Sequence, residues 1–121
     1  VCLPVQAFCD TGFAVQDPLT GQAVVLVYYP AVRSALPPPL RSFLDGYFAG
    51  GAAPTPQLHV RLVPCSTITG HCVLPAVPAK ALRCGRASAD GFLAAFCLPA
   101  APPAHWTLLL GSELAARLGE G

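Results

Sequence analysis

An aspartate, a threonine and a glycine stand together near the start of the chain, as Asp10-Thr11-Gly12. They follow the apolar residues 5–9, which have the composition of a β-strand, so the carboxylate is expected where that strand turns. A carboxylate there can act as a general base on a water molecule if a second carboxylate holds the other proton. Gly12 lacks a Cβ and Thr11 offers a hydroxyl, which suits a loop that a second backbone and a substrate approach closely.

The chain contains one Asp-Thr-Gly, and no other acidic residue stands at a comparable strand end. A pair of carboxylates therefore needs Asp10 from each of two chains related by a two-fold axis, which predicts a homodimer. Charged residues make up 11% of the chain, against about 25% in an average soluble domain, so a partner is expected to cover part of the surface. The alternative is that Asp10 only caps its own strand, since so short a motif recurs by chance.

Length and charge exclude several classes of protein. The 121 residues suit one domain, and a net charge of +1 without a basic run argues against nucleic-acid binding. The longest apolar run, residues 23–29, is far shorter than the roughly 20 residues of a membrane-spanning helix. The sequence starts at Val1 and contains no Met, so it is expected to be a domain of a longer protein.

The six cysteines are interpreted as free thiols in a reducing compartment. Most stand inside apolar runs, where a thiol packs as a small buried hydrophobe: Cys9, Cys65, Cys72, Cys84 and Cys97. No Cys-x-x-Cys occurs, so neither a metal nor any other cofactor is predicted. A module stapled by disulfides is the alternative.

Fourteen prolines and eleven glycines divide the chain into short segments, which predicts a mostly β structure with many turns. Strands are expected at residues 5–9, 24–29, 58–62, 72–74, 80–84, 92–98 and 106–110, and short helices at 40–48 and 112–119. In the third of these expected strands, Leu58, Val60 and Leu62 alternate with His59 and Arg61, which predicts a solvated Arg61.

Two further features suit an Asp-Thr-Gly site. Residues 60–77 read as a hairpin whose tip, Thr69, Gly70 and His71, would lie over a substrate as a flap; an ordinary hairpin turn is the alternative. The segment 107–111 is apolar, ends in glycine and precedes a helix, as does the segment beneath the catalytic loop of pepsin-like and retroviral-type aspartic proteases. Asp17, before Pro18, is expected to anchor its own turn.

Three segments resemble the protease domain of the sporulation sigma-E factor-processing peptidase family, SpoIIGA: DTGFAVQDPLTGQAVVLV (10–27), RLVPCSTITG (61–70) and LLLGSEL (108–114). The Asp-Pro-Leu-Thr-Gly part is the most specific, because retroviral proteases lack it. Phe13 and Cys65 depart from the family, which usually has Asn and Tyr at these positions. Phe13 is expected to pack under the loop; reshaping of a substrate subsite is the alternative.

The resemblance implies a retropepsin-like lobe over residues 1–121, with six or more strands in a barrel-like arrangement, a flap hairpin and one or two short helices. It implies an aspartic endopeptidase, without cofactor, in which Asp10, Thr11 and Gly12 form the catalytic loop of a homodimer. Its substrate would be the precursor of a sporulation sigma factor, cleaved at the cytoplasmic, mother-cell face of a membrane to which a missing N-terminal half anchors the family's members. A general retroviral-type protease with another substrate, and a non-catalytic β module that binds protein, are the alternatives.

Overall fold

The computed structural model describes residues 7–9, 15–51, 53, 56–67, 70–84, 86–99 and 107–119. These residues form a mixed sheet of six strands and a separate pair of strands, so the predicted mostly β fold is confirmed. The strands are β1 (Ala7–Cys9), β2 (Val24–Tyr28), β3 (Arg61–Thr67), β4 (Gly70–Ala79), β5 (Leu82–Cys84), β6 (Ala87–Ala89), β7 (Phe92–Cys97) and β8 (Leu108–Leu110). The helices are α1 (Tyr29–Val32), α2 (Pro38–Gly50) and α3 (Ser112–Gly119), with 3-10 turns at Arg33–Ala35 and Pro56–Leu58.

The strand directions decide which loops meet. The large sheet has the order β1-β8-β2-β7-β4-β3; β1 is parallel to β8 and β2 is parallel to β7, while the other neighbours are antiparallel. The carboxyl ends of β1, β8 and β4 therefore lie at the same end of the sheet as the amino ends of β2, β7 and β3. Cys9 and Arg61 are both at this end, and the tip of the β3–β4 hairpin is at the opposite one.

The central strand β2 is buried on both faces. Val25 and Val27 pack with the helices on one face, and Val24 and Leu26 belong to a second apolar cluster on the other. All four are at most 6% exposed, so the strand reads as a continuous apolar run rather than an alternating one. Its prediction from residues 24–29 is confirmed, with the strand ending one residue earlier because Tyr29 begins α1.

Helix α2 covers the first of these faces. It begins after Pro37, with proline in its first turn, and Phe43 and Leu44 are its buried residues. It ends at Gly51, which has a left-handed backbone (φ 76°, ψ 42°) and donates its N–H to the carbonyls of Gly46 and Tyr47. The amphipathic pattern and the flanking prolines and glycines thus predicted this helix correctly. No helix within the described residues is long and apolar enough to cross a membrane.

The predicted inward face of β3 is wrong by one residue. Residues 56–58 form a 3-10 turn and His59 has a positive φ of 55°, so the strand begins only at Arg61. Val63 and Cys65 are buried, whereas Leu62 is 47% exposed. Because side chains alternate along a strand, this shift turns Arg61 to the buried face, and the prediction of a solvated Arg61 is wrong.

The four cysteines whose side chains the structure describes are free. Cys65 is buried, as predicted. Cys9 and Cys72 are exposed, so the expectation of burial is wrong for these two. For Cys9 the reason is its position on β1, an edge strand whose three residues are all exposed.

Candidate active site

The residues expected to form the catalytic loop, Asp10, Thr11 and Gly12, lie outside the described residues, as does Thr69 of the expected flap tip. Gly70 and His71 are the first residues of β4 and pair with Thr67 and Ser66 of β3. The described residues nearest to the Asp-Thr-Gly in the chain are Cys9 before it and Val15 after it. The surroundings of the site can therefore be built from these two residues outward.

Strand β1 leads directly to Asp10 and lies beside β8. Cys9 is paired with Leu110, and the chain continues from the first to Asp10 and from the second to Gly111. Leu108 and Leu110 are buried in the core beneath the helices, which fixes β8 and, through it, β1. The apolar segment that ends in Gly111 thus forms β8, the neighbour of the strand that leads to Asp10. Helix α3 begins immediately after this segment, at Ser112.

The chain after the Asp-Thr-Gly folds back on itself over residues 15–23, here called the return loop. Gln16 pairs with Ala23, and the Val24 N–H donates to the Val15 carbonyl at 3.0 Å. The turn closes with a bond of 2.7 Å from the Gly21 N–H to the Asp17 carbonyl, and Gly21 has a φ of 73°, which glycine adopts without strain. Val15 packs against the second apolar cluster, so the return loop lies on that face of the sheet.

Asp17 is 3% exposed and is the buried charged side chain among the described residues. The Thr20 hydroxyl donates to its Oδ2 at 2.8 Å and the Leu19 N–H to its Oδ1 at 3.3 Å, which confirms that Asp17 anchors its own turn. Nη2 of Arg61 lies 2.9 Å from Oδ2. Burial tends to raise the pKa of Asp17, but the bonds from Thr20 and Leu19 and the charge of Arg61 together hold it below its ordinary value.

The Asp17–Arg61 pair joins distant parts of the sheet. Arg61 is in register with Ala76, Ala95 and Leu26 on successive strands, so three strand spacings of about 4.8 Å, roughly 14 Å, separate it from β2. The return loop enters β2, so it must cross the sheet face to bring Asp17 to Arg61. The alternation of Arg61, Val63 and Cys65 was the sequence signal for the face on which Arg61 lies, and the competing alternation of Leu58, Val60 and Leu62 concealed it.

A cavity of about 340 Å³ opens at the same end of the sheet, lined by residues 15–16, 23–24 and 111–114. Its walls are thus the stem of the return loop, the start of β2 and the junction of β8 with α3. Its volume is in the lower part of the range for ligand pockets, roughly 300–1,000 Å³. The carboxylate in this lining is Glu113, which is 66% exposed and lies 3.8 Å from Nη2 of Arg117. Within the described part of the chain, no group of three or more potential ligands could hold a metal ion.

Comparison with known proteins identifies the family of this chain. No curated protein and no solved structure matches the chain significantly. The sequence does match the model of a peptidase family described as sporulation factor SpoIIGA, over residues 2–91. The match includes β1, the Asp-Thr-Gly, the return loop and the whole β3–β4 hairpin. This chain therefore belongs to the sporulation factor SpoIIGA family of peptidases.

Proposed function

We propose that this chain is an aspartic endopeptidase that acts as a homodimer and removes the pro-segment from the precursor of a sporulation sigma factor. The catalytic group is Asp10, together with Asp10 of the partner subunit. One carboxylate is ionised and deprotonates a water molecule, while the other is protonated and polarises the substrate carbonyl. The two carboxyl groups titrate as one unit, because they share a proton at hydrogen-bonding distance. Thr11 and Gly12 complete the loop.

The observation that carries the proposal is the parallel pairing of Cys9 with Leu110. An aspartate at the end of a strand, beside an apolar strand that ends in glycine and leads into a helix, is the frame that aspartic proteases use. The cavity lined by Gly111, Ser112 and Val15 lies at this strand end and offers room for a substrate side chain. The family is a peptidase family, and Asp10 is the acidic residue of this chain whose neighbours in the sequence suit that chemistry.

The need for a second chain follows from the single Asp-Thr-Gly. All three residues of β1 are exposed in one copy of the chain, and Phe8 is 49% exposed. Among the described residues, the other edge of β1 has no partner strand, and apolar side chains on such an edge are a surface that a second copy would cover. A two-fold axis close to this edge would bring the two Asp10 carboxylates together.

The β3–β4 hairpin is proposed as the flap, with Thr69, Gly70 and His71 touching the substrate. Strand β4 pairs with β7 only from Ala76 to Ala79, so residues 70–75 extend past β7 for about 20 Å. The tip points away from the Asp10 end of the sheet, so the flap role requires this part of the hairpin to bend back over the sheet face and to release the Val73 carbonyl from the Tyr47 hydroxyl. An extended substrate would then add to the hairpin as a further strand.

The test is cleavage of a purified sigma-factor precursor by the purified chain, read as a size shift and by mass spectrometry of the products. The matched variants are Asp10→Asn and Asp90→Asn, since Asp90 is an exposed aspartate elsewhere in the chain. A tandem chain of two copies joined by a flexible linker is assayed in parallel, because it supplies both aspartates at high effective concentration. A panel of unrelated peptides is assayed with the same preparations. We also propose that this cleavage takes place at the cytoplasmic face of a membrane.

We expect one cut in the pro-segment by the wild type and by Asp90→Asn, and none by Asp10→Asn. Cleavage that survives in Asp10→Asn would refute the aspartic mechanism. Equal cleavage of the unrelated peptides would retain the mechanism and refute the specific substrate, in favour of a general retroviral-type protease. A tandem chain that cleaves neither the precursor nor any peptide would refute the catalytic proposal in favour of a β module that binds protein.

A further inference from the structure

The ion pair between Asp17 and Arg61 connects the return loop, which follows the Asp-Thr-Gly in the chain, with the base of the hairpin. Asp17 stands seven positions after Asp10, and Arg61 is the first residue of β3. We propose that Arg61 is a positioning residue: through Asp17 it holds the return loop, and thereby the point at which the chain leaves the Asp-Thr-Gly segment, in a fixed place against the hairpin. The catalytic part of this inference rests on the proposed function, and the structural coupling does not.

The carboxylate end of the pair is fixed by several bonds. Oδ2 of Asp17 accepts from the Thr20 hydroxyl at 2.8 Å and lies 2.9 Å from the Arg61 guanidinium, and Oδ1 accepts from the Leu19 N–H. A carboxylate that is 3% exposed and bonded in this way has one low-energy position. A shift of Arg61 would therefore draw Asp17 with it or leave its charge buried without a cation.

The arginine end is fixed by the strand. Arg61 pairs with Ala76 of β4, and Ala76 pairs with Ala95 of β7, so the base of the hairpin is part of the main sheet. Farther along the hairpin, the Tyr47 hydroxyl of α2 donates to the Val73 carbonyl at 2.8 Å. Each contact joins the hairpin to another segment, and among the described residues Arg61 supplies the ion pair to the return loop.

Such a pair specifies position more than it adds stability. Taking the Asp17 carboxylate out of water costs free energy that its attraction to Arg61, whose side chain is 31% exposed, largely returns, so net stabilisation is modest. Removing one partner is different, because the remaining buried charge draws its segment towards water. Loss of Arg61 is therefore expected to loosen the return loop, and a displacement of about 1 Å at a reacting group can cost roughly 100-fold in rate.

The experiment compares the full chain with Arg61→Met, Arg61→Lys and Asp17→Asn. Arg33→Met is the control, because it breaks the more exposed arginine–aspartate pair with Asp45, away from the return loop. The first reading is hydrogen exchange by mass spectrometry without substrate, on peptides that cover residues 15–24 and 61–67. Three amides of the loop, those of Asp17, Gly21 and Val24, are hydrogen-bonded within it and report its closure.

We expect Arg61→Met to speed exchange in residues 15–24 by about tenfold or more, with Arg61→Lys between it and the wild type. Arg33→Met should leave these residues unchanged. Asp17→Asn should speed exchange at residues 61–67, since the coupling is reciprocal. Asp17→Asn also serves as the second variant if Arg61→Met does not fold, because Asp17→Asn leaves no buried charge. Exchange that rises only in the strand that carries the substitution, or equally in Arg33→Met, would overturn the coupling.

The second reading is kinetic, in the cleavage assay described above. We expect Arg61→Met to lower kcat by about 10- to 100-fold at a temperature where it remains folded, with partial recovery in Arg61→Lys and none of the loss in Arg33→Met. Faster exchange with an unchanged kcat would overturn the positioning role and leave only a structural contact between the return loop and the hairpin. Cleavage by Asp10→Asn would refute the proposed function while the exchange result stands on its own.

Discussion

Arg33 and Asp45 meet through two parallel bonds, with Nη2 2.5 Å from Oδ2 and Nε 2.9 Å from Oδ1. The Tyr29 hydroxyl donates to the same Oδ1 at 2.6 Å. Arg33 belongs to the 3-10 turn after α1, and Asp45 lies in the middle of α2, so the three side chains join two helical segments. All of them lie on the side of the sheet opposite to the return loop.

This network predicts an acid-dependent loss of stability. The hydrogen bonds from Arg33 and then from Tyr29 lower the pKa of Asp45 from 3.8 to about 2. Because the pKa is lower in the folded state, the stabilisation is fully present above pH 3.8 and is lost as the pH falls towards 2. Urea unfolding of the wild type and of Asp45→Asn between pH 5 and pH 2 would measure this. The variant should lose less stability over that interval, and equal losses would contradict the assignment.

The one-residue shift of β3 predicts unequal losses of stability for two neighbouring substitutions. Val63 is 0% exposed and Leu62 is 47% exposed. Val63→Ala should lower the free energy of unfolding by about 2 kcal/mol, and Leu62→Ala by less than about 1 kcal/mol, although leucine is the larger residue. Denaturant unfolding of the two variants decides the point. A larger cost for Leu62→Ala would restore the face that the sequence alone predicted.

The thiols should differ in reactivity according to burial. Burial, together with the neighbouring Cys72, raises the pKa of Cys65 to about 11, and burial with the same neighbour does so for Cys97. Cys9 and Cys72 are exposed. Brief labelling of the native protein with a maleimide at pH 7.5, read by peptide mass spectrometry, should therefore modify Cys72 well before Cys65 and Cys97. Labelling of Cys65 at the same rate as Cys72 would mean that the face of β3 on which Cys65 lies is exposed to solvent.

A homodimer with one aspartate from each chain has a signature in mixing experiments. Wild-type chain is mixed with Asp10→Asn chain at constant total concentration, and cleavage is measured after the subunits have exchanged. Activity should fall as the square of the wild-type fraction, because a mixed dimer holds one functional carboxylate. A linear decrease would indicate that each chain acts alone. Replacing Asp10→Asn by Asp90→Asn in the mixture gives the control, in which activity should remain constant.

Local sequence patterns correctly predicted the elements that can be recognised without knowing which other elements they pack against. The apolar run that became β2, the flanking prolines and glycines of α2 and the Ser112 to Gly119 helix all contain their own signals. The prediction of which face of β3 is buried failed because His59 adopts a positive φ that interrupts the alternation, and nothing in the neighbouring residues indicates this φ. The contact of Asp17 with Arg61 depends on the order of four strands, which no local pattern contains. Short elements such as α1 and β6 were missed because a few residues carry too little periodicity.

The pairing of β1 with β8 also has a consequence for the order in which the molecule is made. Ala7–Cys9 leave the ribosome before their partner strand Leu108–Leu110, which follows about 100 residues later. The strand that leads to Asp10 therefore has no place in the sheet until the rest of the domain has been translated and folded. A nascent chain that stops short of residue 108 lacks the neighbour that holds this strand, so catalytic competence would arise only at the last step of assembly.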